Sequence, residues 1–335
     1  MNKSLKKTIQ YCSILAIGGA FLWFVFAGTD WTELWSKIIN ANYYWISLGM
    51  AIGIVSHYLR GLRAVLLYEP MGFKVPVKHS FYAVLIGYFI NYIIPRAGEL
   101  SRCASLYKTD DIPVNKSLGT VVAERAFDLL LLVLILSFIT LSQLDLINEV
   151  ITKLGGETES VTEPRNFYLS IKFMLLVFVV VTGSVFLLFR KRLLAVPLVQ
   201  KVLVLAKGFW EGIMTVRKVS KPSLFWIYSS GIWLGYLMMM YCCLKGMDAT
   251  NQLGIMACAT VFALGCVGIV IPAPAAGAGT YHYFIILALS IYDIPREDAL
   301  AYATLVHGAQ MILLIGLGAV SSVMVLLVQR KKITA

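Results

Sequence analysis

Apolar positions in this chain fall into long unbroken blocks, at about 8–28, 43–66, 117–142, 167–189, 222–244 and 300–328, separated by short polar segments. A helix rising ~1.5 Å per residue needs about 20 residues to cross ~30 Å of hydrocarbon. Each block is therefore predicted to be a full span. Transmembrane strands would be short and dyad-alternating, a pattern these blocks lack. Two more apolar stretches, about 80–95 and 253–292, are interrupted by Pro and Gly. The pattern predicts an all-α polytopic membrane protein of about six full spans plus two broken elements.

Composition strengthens this picture. Apolar residues make up 59% of the 335 and charged residues 14%, against about 45–50% and about 25% in soluble domains. A soluble globule, a disordered chain and a disulfide scaffold are excluded. Lys3, Lys6 and Lys7 ahead of the first block resemble a signal peptide, but the apolar core is too long for one, so it is expected to be a retained span.

The net charge of +11, from 29 Lys and Arg against 18 Asp and Glu, fits loops that collect basic residues on the cytoplasmic side. Nucleic-acid binding is not needed to explain it. Segment 190–221 holds Arg190, Lys191, Arg192, Lys201, Lys207, Arg217, Lys218 and Lys221 against Glu211 alone, and is predicted to be cytoplasmic. Loop 143–166 is mainly acidic and is placed outside, while the basic ends put both termini inside. By parity, Arg60, Arg63, Lys74 and Lys78 fall in the cytoplasm. The stretch 80–108 must then begin and end on that side, and its single short apolar arm makes it a re-entrant hairpin. The stretch 253–292 begins and ends outside, and either crosses twice or dips in and returns. One broken element from each side is the pattern of an inverted repeat with a site near the midplane. The whole chain, 1–335, is expected to be one transmembrane domain: a first half of about 8–142 with hairpin 80–108, a second of about 167–328 with hairpin 253–292, and no soluble catalytic domain.

A broken helix at membrane depth must be buried in protein or line a wet cavity. The first bend, Asn91–Arg102, contains Pro95, which removes an amide donor, and Gly98, which permits a close approach. Arg96, Glu99 and Arg102 follow, and the next span opens with Glu124, Arg125 and Asp128. Charges at such depth face a pathway or one another. One consistent arrangement is a polar cavity open to the cytoplasm, where Arg96, Arg102 and Arg125 hold an anion through their planar forks. The other is a self-neutralising network of those three arginines with Glu99, Glu124 and Asp128 that only pins the hairpin. In the second half, Pro272, Pro274, Gly277 and Gly279 form the corresponding bend, followed by His282, with His307 in the last span. With an ordinary pKa near 6.5, these two histidines would make activity pH-sensitive. The six cysteines show no ligand spacing and read as small embedded side chains. No metal site and no cofactor is expected. The GxxxG of Gly231 and Gly235 reads as helix packing, and Trp31, Trp35, Tyr43, Tyr44 and Trp45 as an interfacial belt.

The bend with Asn91, Pro95, Gly98, Glu99 and Arg102, followed by Glu124, Arg125 and Asp128 and then by a late Pro/Gly bend, resembles the transmembrane region of lysylphosphatidylglycerol synthases. The likeness covers nearly all of 8–328. It departs in the second half: Ala275 and Ala276 stand where the family tends to place a Gly pair, and His282 and His307 where it commonly has Glu and Arg. The resemblance implies movement of phospholipids, anionic ones above all, or of lipid-linked molecules between leaflets of a bacterial plasma membrane. Arg96, Glu99, Arg102, Glu124, Arg125, Asp128, His282 and His307 would line the headgroup path. It implies no catalysis, since bifunctional members carry the aminoacyl-transfer domain separately. A second copy or a separate lipid-modifying enzyme would be its protein partner. The alternatives are a membrane-embedded enzyme acting on lipid phosphates, with the same carboxylates and histidines as acid and base groups, and an ion-coupled small-solute transporter.

Overall fold

The computed structural model describes residues 19–94, 97–143, 219–271 and 273–334. Residues 1–142 with 212–335 form one compact unit and Gln143–Glu211 a second. Of the latter only Gln143 lies within the described residues, so the expected span at 167–189 and the basic segment 190–221 fall almost wholly outside them, as does most of the first span.

Every described element is helical. After a helical turn at 19–26 come α1 (Trp31–Ile39), α2 (Tyr43–Tyr68), α3 (Val77–Ile93), α4 (Gly98–Asp110), α5 (Val114–Ser142), α6 (Pro222–Lys245), α7 (Ile255–Val270), α8 (Thr280–Ser290) and α9 (Arg296–Thr334). Three are long and apolar enough to cross a membrane: α2 with its 3-10 extension to Met71, α6, and α9. Local chemistry explains the boundaries. The Asp30 carboxylate accepts from the amides of Thr32 (2.8 Å) and Glu33 (3.1 Å) to cap α1, and Asn42 caps α2 through Tyr44 N–H at 3.1 Å, as short oxygen-bearing side chains do at helix starts. Pro222 opens α6, where its missing donor does no harm.

Helix α1 buries Leu34 and Ile38 and leaves Trp31 and Trp35 exposed. Its Lys37 bridges Glu33 (3.0 Å) and Asp298 at the start of α9 (2.8 Å). The main core joins α2, α6, α7, α8 and α9 through Ile46, Met240, Leu244, Val261, Ile285 and Tyr302, all nearly inaccessible. Gly235 of α6 faces Ser56 of α2 and Gly231 faces Leu59, the packing role expected of that pair.

Both interrupted stretches are helical hairpins. In the first, α3 stops at Ile94 ahead of Pro95, and α4 returns from Gly98. The arms meet where a Cβ on Gly98 would lie 2.1 Å from the Gly87 carbonyl, and Gly98 N–H donates to Asn91 Oδ1 at 2.8 Å. Asn91 thus satisfies an amide that the missing turn leaves without an intrahelical acceptor. In the second, α7 and α8 are joined by a turn in which Ala275 (φ 47°), Ala276 (φ 54°), Gly277 (φ 97°) and Gly279 (φ 88°) are left-handed. Thr280 Oγ1 donates to the carbonyls of Gly268 (2.8 Å) and Gly277 (3.0 Å), closing it. Gly268 is again the contact point, since a Cβ there would sit 2.9 Å from the Thr280 carbonyl. Pro95, Arg96 and Pro272, and the side chain of Pro274, lie outside the described residues.

Gly98→Ala should therefore drive the arms of the first hairpin apart and destabilise the protein by about 1–3 kcal/mol or more, as overpacking does. Gly119→Ala, on an open face of α5 with nothing within 4 Å, should be neutral or stabilising by up to about 1 kcal/mol. Thermal unfolding of the two purified variants in detergent checks the contrast; equal melting temperatures would remove the close contact.

Candidate functional site

Glu124 and Asp128 sit well inside α5, one turn apart and on one face, with Glu124 fully buried and Asp128 8% exposed. Uncompensated carboxylates at such a place would be strongly unfavourable. Arg102 of α4 supplies a two-pronged partner to Glu124: its Nη1 and Nη2 donate to Oε2 and Oε1, each at 2.8 Å. This planar fork matches both carboxylate oxygens at once. Asp128 is held from α2, where Arg60 Nη1 donates to Oδ2 at 2.7 Å and Arg63 Nη1 to Oδ1 at 2.9 Å. Arg63 also reaches Ser229 Oγ of α6 at 3.4 Å, and its Nη2 lies 3.8 Å from Glu124. Arg125 approaches Asp128 at 3.7 Å with its side chain 47% exposed. The flanking rings are aromatic, with the Arg60 guanidinium 5.8 Å from the Tyr236 centroid and that of Arg63 5.8 Å from Phe225. One polar knot thus ties α2, α4, α5 and α6 together.

The charge in this knot does not sum to zero. Four guanidinium groups meet two carboxylates, and Glu99, half-buried on a neighbouring recess, is the remaining acid beside them. Arg60 Nε, Arg63 Nε and Nη2, and Arg102 Nε are buried without a hydrogen-bond partner. The recess is lined by Arg60, Tyr88, Asn91, Glu99, Arg102 and Arg125 together with Gly87 and Gly98 at the hairpin crossing. Its free space of about 40 Å³ is on the scale of a few water molecules.

Of the expected site residues, the structure brings Arg102, Glu124, Arg125 and Asp128 into direct contact, with Asn91, Gly98 and Glu99 beside them. Arg96 lies outside the described residues. Arg60 and Arg63, expected at the cytoplasmic end of the second span, lie within α2 and are 4% and 0% exposed. A count of loop charges cannot separate a basic residue beyond a helix from one within its last turns. The usable signal was their spacing of three, which sets both on one helical face.

His282 and His307 also meet, with ring centroids 5.3 Å apart. His307 Nε2 lies 3.1 Å from the Ala275 carbonyl, and the Tyr281 and Tyr92 rings are 5.2 Å and 6.3 Å away. Gly279 N–H points at His282 Nδ1 at 3.5 Å. The pair fastens α9 to the second bend, much as Arg102 and Glu124 fasten α4 to α5. Among the described residues no cluster of three or more His, Cys, Asp or Glu could hold a metal ion.

Removing one member of a fully buried pair leaves an unpaired charge and costs about 3–5 kcal/mol, whereas an exposed pair contributes about 0–1 kcal/mol. Glu124→Gln should therefore lower thermal stability severely and Arg125→Gln hardly at all. Comparable melting temperatures for the two variants would contradict the burial described above.

The chain matches the family described as "Lysylphosphatidylglycerol synthase TM region" over residues 13–318. It is also similar to a UPF0104 membrane protein of Methanocaldococcus jannaschii, at 30% identity over 129 residues, which cover 38% of this chain and 37% of that protein. The matched stretch thus spans little more than a third of that relative. No solved structure matches the chain. With the family match extending over most of its length, the chain belongs to the lysylphosphatidylglycerol synthase TM region family of membrane proteins.

Proposed function

We propose that the protein carries a phospholipid or lipid-linked molecule between the leaflets of the plasma membrane, its anionic headgroup passing through the arginine-lined recess while the acyl chains stay in lipid. The observation that supports this most directly is the surplus of buried guanidinium groups beside a recess at a helix break. A purely structural network would be expected to neutralise itself, because every unpaired charge is unfavourable in a low-dielectric interior. Here the Nε donors of Arg60 and Arg102, two residues that line the recess, remain without partners, and a phosphate oxyanion is the group that would complete them.

In this scheme the hairpins α3–α4 and α7–α8 are re-entrant elements entering from opposite faces, both termini are cytoplasmic, and the recess opens toward the cytoplasm. The two bends are the moving parts, since irregular backbone in a membrane is stable only against protein or a wet cavity. The chain acts as a carrier and leaves the headgroup chemically unchanged.

In vesicles reconstituted with the full chain and a headgroup-labelled phosphatidylglycerol, Arg125→Ala should slow exposure of the label to an external quencher at least about tenfold, the equivalent of one lost charge-assisted contact. Arg102→Ala and Glu99→Ala should slow it as well, with Arg102→Ala also destabilising the fold. Transport unchanged in all three would refute the headgroup path. The hairpin placement has its own check: single cysteines at positions 97–108 should react with an impermeant thiol reagent from the cytoplasmic side, and labelling only from outside would overturn it.

A further inference from the structure

Beside the recess lies a buried group with no part in the arginine–carboxylate knot. His57 of α2 is 6% exposed, and its Nδ1 is 3.1 Å from the Tyr236 hydroxyl of α6. That hydroxyl lies 3.4 Å from the Tyr88 hydroxyl of α3, and Tyr88 lines the recess next to Arg60. The Tyr88 ring also packs on His57, with centroids 4.6 Å apart. A continuous line of exchangeable protons thus runs from the recess to an imidazole in the interior of the bundle. The charged and titratable groups around His57 are Arg60 on its own helix, Tyr88 on α3, Tyr236 on α6 and, across Arg60, Asp128 on α5. From α9, His307 is turned instead toward Ala275, Tyr281 and Tyr92.

We infer that His57 is a proton-binding site coupled to the anion site, so that one proton travels with each bound phosphate headgroup. This rests on the proposal that the recess takes a phosphate oxyanion. The coupling is electrostatic. Arg60 lies one turn from His57, and its charge opposes a second positive charge there. An oxyanion in the recess offsets Arg60 and relieves that repulsion, and in a low-dielectric interior such effects are large. By linkage, a proton on His57 strengthens anion binding by the same factor. Transfer balances along the chain: Tyr88 accepts a proton from a solvent hydronium ion entering the recess, which leaves as water, and passes its own to Tyr236, which passes its own to His57 Nδ1. Both hydroxyls are restored, and the imidazole ends doubly protonated.

The test uses the full chain in phosphatidylcholine nanodiscs, with dihexanoylphosphatidylglycerol and, separately, inorganic phosphate as probes. Titration calorimetry is run between about pH 5.5 and 7.5, spanning the ordinary histidine range, in buffers of different ionisation heat. Affinity should rise as pH falls, by at most about tenfold per unit for one linked proton, with net proton uptake on binding. His57→Gln should flatten the profile at the high-pH affinity, while His282→Gln combined with His307→Gln should keep the slope. A slope that survives in His57→Gln, one lost in the double variant instead, or no proton uptake by the wild type anywhere in this range overturns the inference. The wild-type measurement stands even if a variant fails to fold. Linked uptake with inorganic phosphate identifies the phosphate group alone as the determinant, and uptake only with the lipid adds its glycerol or chains. Binding without linkage leaves the headgroup path intact, whereas binding of neither probe removes the path and the coupling with it.

Discussion

The bidentate contact between Arg102 and Glu124 is the constraint around which the first half of the structure is arranged. It is formed between two fully or almost fully buried side chains, and neither can be satisfied by solvent. Because Arg102 stands one turn into the returning arm of a hairpin, the contact fixes where α4 lies against α5. Because Glu124 shares a helical face with Asp128, it also sets the second carboxylate toward α2, where Arg60 and Arg63 arrive together. An apolar bundle has little directional preference of its own, since packing and hydrophobic burial tolerate sliding and rotation. The charge-assisted bonds remove that freedom and give four helices one register.

The two bends use different chemistry for one geometric task. In the first, a glycine crossing lets the backbones touch and an asparagine side chain takes up a stranded amide. In the second, a threonine hydroxyl does the corresponding work on two carbonyls. Each bend is then tethered to the following long helix by a pair of side chains, an ion pair in one case and two imidazoles in the other.

Much of this architecture was legible in the sequence, and the reasons are physical. Runs at 43–66, 222–244 and 300–328 became α2, α6 and α9 within a few residues, because a long apolar block in a membrane has few alternatives to a helix. The breaks near Gly98 and at Ala275–Gly279 were equally readable, since proline and glycine act locally. The partners of Glu124 and Asp128 were not. Arg102 was close enough in sequence to be suspected, but Arg60 and Arg63 are more than sixty positions from Asp128, and a charge count treats an arginine on the last turns of a helix as a loop residue. Nothing short of the packing of α2 against α5 distinguishes the two. The same blindness hid His57, whose meaning depends on hydroxyls contributed by two other helices.

The left-handed alanines at 275 and 276 carry a consequence of a different kind. An L-residue with a Cβ held in that conformation sits roughly 1–2 kcal/mol above its preferred state, so the pair stores energy in a turn whose close neighbour is the His307 imidazole. A glycine pair at the same positions would be relaxed in this shape and in many others. Alanine makes the turn harder to form than a glycine pair would. The second bend is thereby held in its shape by tertiary contacts against the preference of its own backbone.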